Sequence, residues 1–169
     1  NDAPTELART VFEYDAIGRQ TAVTASVSEV ISNVTRYQYD NAHRVTHLTD
    51  PLNRVTQFEY DAVSRLIRKT DPRGNVSQYC YDGNDNLVRH VSDERPGQEE
   101  IPACDEEIVQ TKDLFVNRFG YDTLNRLERK TDNANNITSY QYDLHGNLEA
   151  TTDAEGNSIH YRYNNLNRL

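Results

Sequence analysis

The stretch FEYDAVSRLIRKTDPRGNVSQYCYD, residues 58–82, opens and closes with one pattern: an aromatic residue, any residue, tyrosine and aspartate. Tyrosine recurs in this phase seven times along the 169 residues, always with a second aromatic residue two positions before it. Aspartate follows in the first six copies, and Asn164 follows in the seventh. Such regular spacing predicts a repeat architecture rather than a single special site. The predicted structural repeat residues are Phe12, Tyr14, Asp15, Tyr37, Tyr39, Asp40, Phe58, Tyr60, Asp61, Tyr79, Tyr81, Asp82, Phe119, Tyr121, Asp122, Tyr140, Tyr142, Asp143, Tyr161 and Tyr163.

Each repeat of 21 residues carries two turn signals of the form Asp-x-x-Gly/Asn. An aspartate at the first position can accept a hydrogen bond from backbone two residues on, and Gly or Asn at the fourth tolerates the left-handed conformation. Pro51 and Pro72 directly follow aspartates, where a type I turn favours proline. The runs between turns hold about six residues, an ordinary strand length. Thr56, Phe58 and Tyr60 would then share one face of a strand.

These turns and runs predict an all-β fold, a long antiparallel β-meander of hairpins. Seven units give about 13 strands, and open sheets rarely exceed about 10 strands without curling. We therefore expect a curled sheet that forms part of a larger β-shell, and a chain that is a piece of a longer protein. The expected organisation is a lead-in over 1–11 and a repeat array over 12–169, with seven copies of which the last is truncated. The array is interrupted near 94–112 and, by four residues, near Ser26–Asn33.

Only 36% of the residues are hydrophobic and the mean hydropathy is −0.88, which is poor for a thick aliphatic core. The repeated aromatic pairs offer another way to hold the sheet, since cross-strand aromatic pairs contribute roughly 0.2–1 kcal/mol each. If Arg68, on the strand after Tyr60, lies on the aromatic face, it can stack between neighbouring rings. The aspartate after each tyrosine is interpreted as a turn residue, not as a catalytic group.

The insertion at 94–112 reads ERPGQEEIPACDEEIVQTK. From Asp93 to Asp113 there are eight acidic and two basic residues. We interpret it as an exposed acidic loop that folding does not require; a docking or cargo-contact element is the functional alternative. A bridge between Cys80 and Cys104 is geometrically possible, but free thiols are the simpler expectation in a protein assembled in the cytosol.

The remaining features argue against a chemical site. A net charge of −9 disfavours nucleic acid as a partner, and no apolar run approaches the roughly 20 residues of a membrane span. The five histidines show no zinc-ligand spacing with the cysteines, and the calcium-like segment Asp82–Asn86 lacks the bidentate glutamate of an EF-hand. The aspartates recur in every repeat, whereas catalysis needs one special site. We therefore predict a scaffold that is not an enzyme, with no cofactor and no metal.

Three segments, YDAVSRLIRKTDPRGNV at 60–76, YDTLNRLERKTDNANNIT at 121–138 and YDLHGNLEATTDAEGNS at 142–158, closely resemble the YD repeat of the bacterial RHS family. The resemblance runs from Phe12 to Leu169 apart from the two insertions. It implies a β-strip that spirals into a hollow shell around a C-terminal toxin domain, as in polymorphic toxins and insecticidal toxin complexes; teneurins carry a related shell. The family's self-cleavage segment, with its catalytic aspartates, has no counterpart among these residues.

The resemblance further implies a structural wall segment of a secreted or cell-surface protein, made in the bacterial cytoplasm and exported. Its expected partners are the other repeats of the parent protein, the enclosed toxin domain and a secretion apparatus or chaperone. A carbohydrate-binding or cell-surface adhesion module is the alternative, because tyrosine rings can pack against sugars. We also expect the isolated piece to self-associate through unpaired strands near Val11–Tyr14 and Ile159–Tyr163.

Overall fold

The computed structural model describes residues 8–26, 32–95, 101–108, 113–164, 166 and 168, and every regular element within these ranges is a β-strand. The chain divides into two compact units, Asn1–Asn75 and Val76–Leu169. Residues 1–7 of the expected lead-in lie outside the described residues, and the first strand already begins at Arg9. Parts of both insertions, 27–31, 96–100 and 109–112, lie outside them as well.

The first unit is an antiparallel meander in which each strand pairs with the one before it in the chain. Its strands are β1 (Arg9–Tyr14), β2 (Gln20–Ser26), β3 (Ser32–Tyr39), β4 (Val45–Thr49), β5 (Val55–Tyr60) and β6 (Leu66–Thr70).

The second unit continues the same pattern. Its strands are β7 (Val76–Tyr81), β8 (Leu87–Asp93), β9 (Leu114–Tyr121), β10 (Leu127–Thr131), β11 (Ile137–Tyr142), β12 (Leu148–Thr152) and β13 (Ser158–His160). The predicted all-β class and the antiparallel meander are therefore confirmed.

The hairpin turns are three-residue loops closed by a left-handed residue, as the spacing predicted. At 61–65 the backbone N–H of Asp61 donates to the carbonyl of Arg65 at 3.0 Å, and that of Ser64 donates to the carbonyl of Asp61 at 3.1 Å. The strand pairing shifts register between Glu59 and Tyr60, as expected where a left-handed residue ends such a loop. The residue at the fourth position of the turn has a positive φ. These residues are Gly18, His43, Asn53, Ser64, Gly74, Asp85, Asn125, Asn135, Gly146 and Gly156.

The two faces of the sheet differ in composition. In β5 the residues Thr56, Phe58 and Tyr60 are half-buried, whereas the alternate residues, such as Gln57, are exposed, which confirms the predicted alternation. We call the side that carries the aromatic pairs the ring face and the other side the opposite face. Among the described residues no aromatic side chain is fully buried. The buried hydrophobic residues are Ala22, Val76, Cys80, Val91, Ile101, Ile108, Leu114, Val116 and Ala150.

A local hydrophobic core lies on the opposite face of β7–β9, under the insertion. Residues 101–108, which we call the strap, place Ile101 and Ile108 in one buried cluster with Val76, Val91, Leu114 and Val116. The interpretation of the insertion as an exposed loop is therefore wrong for Ile101 and Ile108, whereas residues 103–107 between them are exposed. The physical reason is that the valines of β7–β9 leave an apolar surface, which the two isoleucines of the strap cover.

Deleting the strap should destabilise the second unit. Replacing 94–112 by an Asn-Gly turn removes two buried isoleucines, each contributing about 1.5–3 kcal/mol, while the shorter loop recovers only about 0.6 kcal/mol per halving of its length. We expect the unfolding free energy in urea to fall by roughly 3 kcal/mol or more. The control is Glu155→Gln, which alters an exposed turn outside the core. An unchanged urea midpoint for the deletion would mean that the strap does not stabilise the fold.

Candidate functional site

The aspartate after each repeat tyrosine organises the turn through three hydrogen bonds. Asp40 is typical: its Oδ1 accepts from the backbone N–H groups of Ala42 and Arg44 at 2.8 and 3.0 Å. Its Oδ2 accepts from Nε of Arg44 at 2.7 Å. The same arrangement recurs at Asp15, Asp61 and Asp122, with arginine as the fourth residue after the aspartate. The carboxylate thereby fixes the loop and the direction of the arginine side chain together.

This hydrogen bonding favours the ionised carboxylate. The backbone N–H of Arg44 is the main reason that the pKa of Asp40 lies below its ordinary value of 3.8; partial burial opposes the shift, and the Arg44 side chain adds to it. The pKa of Asp122 is lowered by the equivalent group of Arg126. Each turn is thus strongest with its aspartate charged.

The turn arginine then contacts the next repeat. The Cζ atom of Arg44 lies 4.9 Å from the ring centroid of Tyr60, and its NH1 group donates to the carbonyl of Asp61 at 2.7 Å. The hydroxyl of Tyr60 donates back to the carbonyl of Val45, the residue after the arginine, at 2.9 Å. We call this set of aspartate, arginine and following tyrosine the repeat clamp. It couples successive hairpins through a cation–π contact and hydrogen bonds in both directions.

The repeat clamp recurs in both units. Arg19 lies 4.9 Å from the Tyr39 ring centroid, and the Tyr39 hydroxyl donates to the carbonyl of Gln20 at 2.7 Å. In the second unit the Cζ–centroid distance is 4.5 Å from Arg126 to Tyr142. The Tyr142 hydroxyl donates to the carbonyl of Leu127 at 2.9 Å.

One clamp has asparagine in place of the arginine. Asn86 donates through Nδ2 to Asp82 at 3.0 Å and to Oδ1 of Asn125 at 3.1 Å. The hydroxyl of Tyr121 still donates to the carbonyl of Leu87 at 3.0 Å. The tyrosine bond is therefore kept where the cation is absent.

The condition under which Arg68 would stack between rings is not met, because Arg68 does not lie on the ring face. Arg68 faces Glu59 across the strand pair, and its Nε lies 3.6 Å from a Glu59 carboxylate oxygen, away from the ring face. The cations that meet the rings come from the turns instead. Their signal was present in the sequence, because arginine or asparagine follows the fourth turn position in every copy.

The aromatic residues two positions before each tyrosine do not stack on one another. Phe58 lies opposite Lys69 in the strand pair, and Tyr140 lies opposite Thr151. Tyr79 instead stacks on His90 of the neighbouring strand, at 4.9 Å between ring centroids. The ring face is therefore built from mixed aromatic and polar pairs, not from a continuous aromatic ladder.

The first aromatic pair of the array is exposed, whereas the last is half-buried. Phe12 and Tyr14, on the first strand, are 52% and 59% exposed. Tyr161 follows β13, where its backbone N–H donates to the carbonyl of Glu149 at 2.8 Å, and Tyr163 is half-buried. Three inner pairs lie within strands, and the repeat tyrosine is the last residue of each strand. They are Tyr37 and Tyr39 in β3, Tyr79 and Tyr81 in β7, and Phe119 and Tyr121 in β9.

The strap is held by a buried arginine and a disulfide. Arg89, on β8, is 7% exposed and donates to the carbonyls of Ala103, Glu106 and Pro102 at 2.6, 2.7 and 3.2 Å. Cys80, the cross-strand neighbour of Arg89, forms a disulfide with Cys104 of the strap, with the Cα atoms 5.6 Å apart. The expectation of free thiols is therefore wrong, because the strap crosses the strand that carries Cys80.

The strap site is electrostatically strained by its buried cation. Burial and, after it, the nearby Arg118 lower the pKa of Arg89 from its ordinary value, whereas Asp105 and Glu106 raise it. At the root of the insertion, the fully buried Asp93 is paired with Arg95 at 2.6 Å. These contacts anchor the insertion but bring no nucleophile and base together.

The described residues contain neither a metal-type cluster of side chains nor a helix suited to a membrane. No cluster of three His, Cys, Asp or Glu side chains suited to a metal ion occurs among them, and none of them forms a helix long and apolar enough to cross a bilayer. The calcium-like segment at 82–86 is a hairpin turn, closed by the Asp82 N–H and the Asn86 carbonyl at 2.9 Å. An open cavity of about 440 Å³ lies beside Arg129, Ser139 and Gln141, on the second unit.

The repeat clamp should carry measurable stability. Tyr60→Ala removes a half-buried ring, its hydroxyl hydrogen bond and the Arg44 contact, so we expect the unfolding free energy to fall by roughly 2–4 kcal/mol. Tyr60→Phe should lose only about 1 kcal/mol. Val63→Ala, at an exposed turn position of the same repeat, should stay within about 0.5 kcal/mol. Equal melting temperatures for the Tyr60→Ala and Val63→Ala variants would refute the clamp.

The turn aspartates should make the fold sensitive to acid. Their folded pKa values lie below the 3.8 of the unfolded chain, so their stabilisation is present above that value and is lost as the pH falls through the folded pKa. The melting temperature should therefore drop steeply below about pH 4. Burial also lowers the pKa of His90, so the fold loses stability as the pH falls below the ordinary value of 6.5 and this histidine is protonated. The measurement is therefore made in a His90→Gln variant, in which the remaining acid sensitivity comes from the aspartates. Adding Asp40→Asn and Asp122→Asn should flatten the acid limb; an unchanged slope would argue against these carboxylates.

Comparison with protein families finds one family whose description is RHS Repeat. Its matches lie at 14–55, 43–76, 60–95 and 121–158, which together cover more than half of the chain. A comparison with curated protein sequences finds no significant match.

Solved structures show a similar fold. The crystal structure of TcdB2-TccC3 is 15% identical with a TM-score of 0.65, over 98% of this chain and 10% of that one. The Photorhabdus luminescens Tc holotoxin pore with a mutated TccC3 is 15% identical with a TM-score of 0.63, over 95% and 10%. TcdB2-TccC3 without its hypervariable C-terminal region is 14% identical with a TM-score of 0.62, over 92% and 9%.

This chain therefore spans about a tenth of the length of these structural neighbours. At such low identity the likeness shows the fold alone, whereas the repeated family matches depend on the sequence itself. Those matches fall on the hairpins that carry the repeat clamps. The chain belongs to the RHS repeat family.

Proposed function

We propose that this chain is a non-catalytic wall segment of an RHS shell that encloses the toxin part of an exported bacterial protein. The observation that carries the proposal is that the repeat tyrosines and aspartates are used in the clamps that join successive hairpins. Tyrosine hydroxyls and aspartate carboxylates that already make these hydrogen bonds have a structural role, which favours a wall segment over a catalytic one.

The structural neighbours support this assignment. They are chains of Tc toxin assemblies, and one of them is described by the absence of a hypervariable C-terminal region. A shared fold with chains of toxin assemblies favours a wall role and an exported parent protein. The partners of this segment would be the other repeats of its parent protein and the enclosed domain.

Carbohydrate binding is the weaker alternative. A sugar would need free tyrosine faces, yet the rings of Tyr39, Tyr60 and Tyr142 have a guanidinium over them. The hydroxyls of the same three rings are donated to backbone carbonyls. A glycan array with the Tyr14→Ala variant as control tests the alternative at the most exposed repeat tyrosine.

Containment can be tested by protease protection in the protein that includes this segment. If the segment is wall, the enclosed domain should resist protease as long as the wall is intact. A double change of Arg44→Ala and Tyr60→Ala should open the wall locally and increase the cleavage rate of that domain, whereas Val63→Ala should leave it unchanged. Equal cleavage in the unaltered protein and in the clamp variant would argue against containment.

Self-association of the isolated chain is a further prediction of the wall assignment. Within the part of the chain that the structure describes, strands β1 and β13 each pair with one neighbour, β2 and β12, and therefore present an edge with unpaired backbone groups. We expect a concentration-dependent dimer or larger oligomer in light scattering across a dilution series. Val11→Pro should weaken it, because proline on an edge strand removes a donor; a strict monomer at high concentration would contradict the prediction.

A further inference from the structure

We propose that the Cys80–Cys104 disulfide is a reversible thiol–disulfide exchange site, and that its reduction releases the strap from the opposite face of β7–β9. The partner is a thiol reductant: a small thiol such as glutathione, or a dithiol protein. This inference goes beyond the wall function and depends only on the strap.

The two cysteine residues differ in exposure. Cys80 lies on β7 and is 1% exposed, whereas Cys104 lies on the strap and is exposed. An incoming thiolate therefore meets Sγ of Cys104 first, from the solvent side of the strap. Attack on one sulfur makes the other the leaving group, so Cys80 is the residue that is released.

The exchange balances with two thiols. The first thiolate attacks Sγ of Cys104, forms a mixed disulfide there and breaks the bond to Cys80, which leaves with the electron pair and takes a proton from water. A second thiolate then attacks the reductant's sulfur in the mixed disulfide. Cys104 leaves as a thiolate and is protonated, and the two reductant thiols become one disulfide. The reverse sequence closes the bridge with the disulfide form of the same reagent.

The surroundings of Cys80 favour its departure. Arg89 is its cross-strand neighbour, and both side chains meet Oε1 of Gln78, at 3.8 Å from the Cys80 sulfur and 3.4 Å from NH2 of Arg89. A guanidinium close to the leaving sulfur stabilises the negative charge that develops on it. Arg89 thus donates hydrogen bonds to the strap when the disulfide is closed and stabilises the Cys80 thiolate when the disulfide opens.

The non-covalent hold on the strap is incomplete. Arg89 is buried, and its Nε has no hydrogen-bond partner within the described part of the chain. All three of its strap acceptors are backbone carbonyls, so a buried charge is balanced only by dipoles and by more distant carboxylates. Release of the strap returns this guanidinium to water, which offsets part of the lost packing of Ile101 and Ile108. The covalent bridge therefore adds to a non-covalent hold that is weaker than the packing of two isoleucines alone would give.

The size of the effect follows from loop closure. Because β7 and β8 stay folded when the strap opens, the bridge closes the segment between the end of β8 and Cys104, about ten residues, and cross-links over loops of this length shift an opening equilibrium by a factor on the order of 100. Reduction should therefore increase the population of the open strap by about that factor. When the strap opens and closes fast relative to cleavage, the cleavage rate is proportional to the population of the open strap.

Cleavage by a glutamate-specific protease measures strap opening at Glu106 and Glu107. In the oxidised chain we expect slow cleavage there, and in dithiothreitol a rate on the order of 100-fold higher. The Cys80→Ser/Cys104→Ser variant should be cut at the fast rate with and without reductant. Cleavage at Glu155, in an exposed turn of the same unit, should be unaffected by reductant and serves as the internal reference.

Three results would overturn the proposal. One is two titratable thiols after refolding in a glutathione redox buffer, because the bridge would then not form. Another is equal cleavage at Glu106 in the oxidised and the reduced chain. The third is a double-serine variant as resistant as the oxidised chain. None of these measurements involves an enclosed domain, so their failure leaves the wall proposal standing, and failure of protease protection leaves the redox site standing.

Discussion

The fold depends on one local contact, the acceptance of backbone N–H groups by the carboxylate of the turn aspartate. A three-residue hairpin loop leaves amide donors that no strand partner can satisfy. One oxygen of the aspartate accepts two of them, and the other accepts the side chain four residues on. Once the loop is fixed, the pairing register of the hairpin and the direction of the arginine follow from it.

The repeat clamp explains how a chain with few aliphatic residues forms so many paired strands. Where the turn carries an arginine, as at Arg19, Arg44 and Arg126, its guanidinium contacts the tyrosine of the next hairpin, and that tyrosine donates a hydrogen bond to the backbone beside the arginine. Stability is thus distributed over equivalent contacts between neighbours, as in other repeat proteins. An antiparallel sheet held this way needs no thick core on either face, which is a suitable property for a wall.

The strap region is stabilised differently from the repeats, by a local hydrophobic core. There the opposite face carries Val76, Val91 and Val116, and the chain supplies Ile101 and Ile108 to cover them. A buried arginine and a disulfide hold the cover in place. Because this local core has no counterpart in the repeat pattern, it is the natural place for a property that the other hairpins do not share.

The sequence by itself determined the elements and their class. The spacing of aromatic, Asp and Gly/Asn positions sets where strands end and turns begin, because these are local demands of hairpin geometry and of the left-handed residue. Contacts between elements were less accessible. The stacking cation was sought on the strand at Arg68, whereas the turn geometry directs Arg44 to Tyr60. The role of the insertion was decided only by the tertiary structure: acidic composition indicates a solvated loop, but the path of the strap across β7 brings Cys104 to Cys80 and buries its two isoleucines. The disulfide and the burial of the two isoleucines leave no periodic signal in the sequence. Both depend on which face of the sheet the strap crosses, and the strap is not part of a repeat.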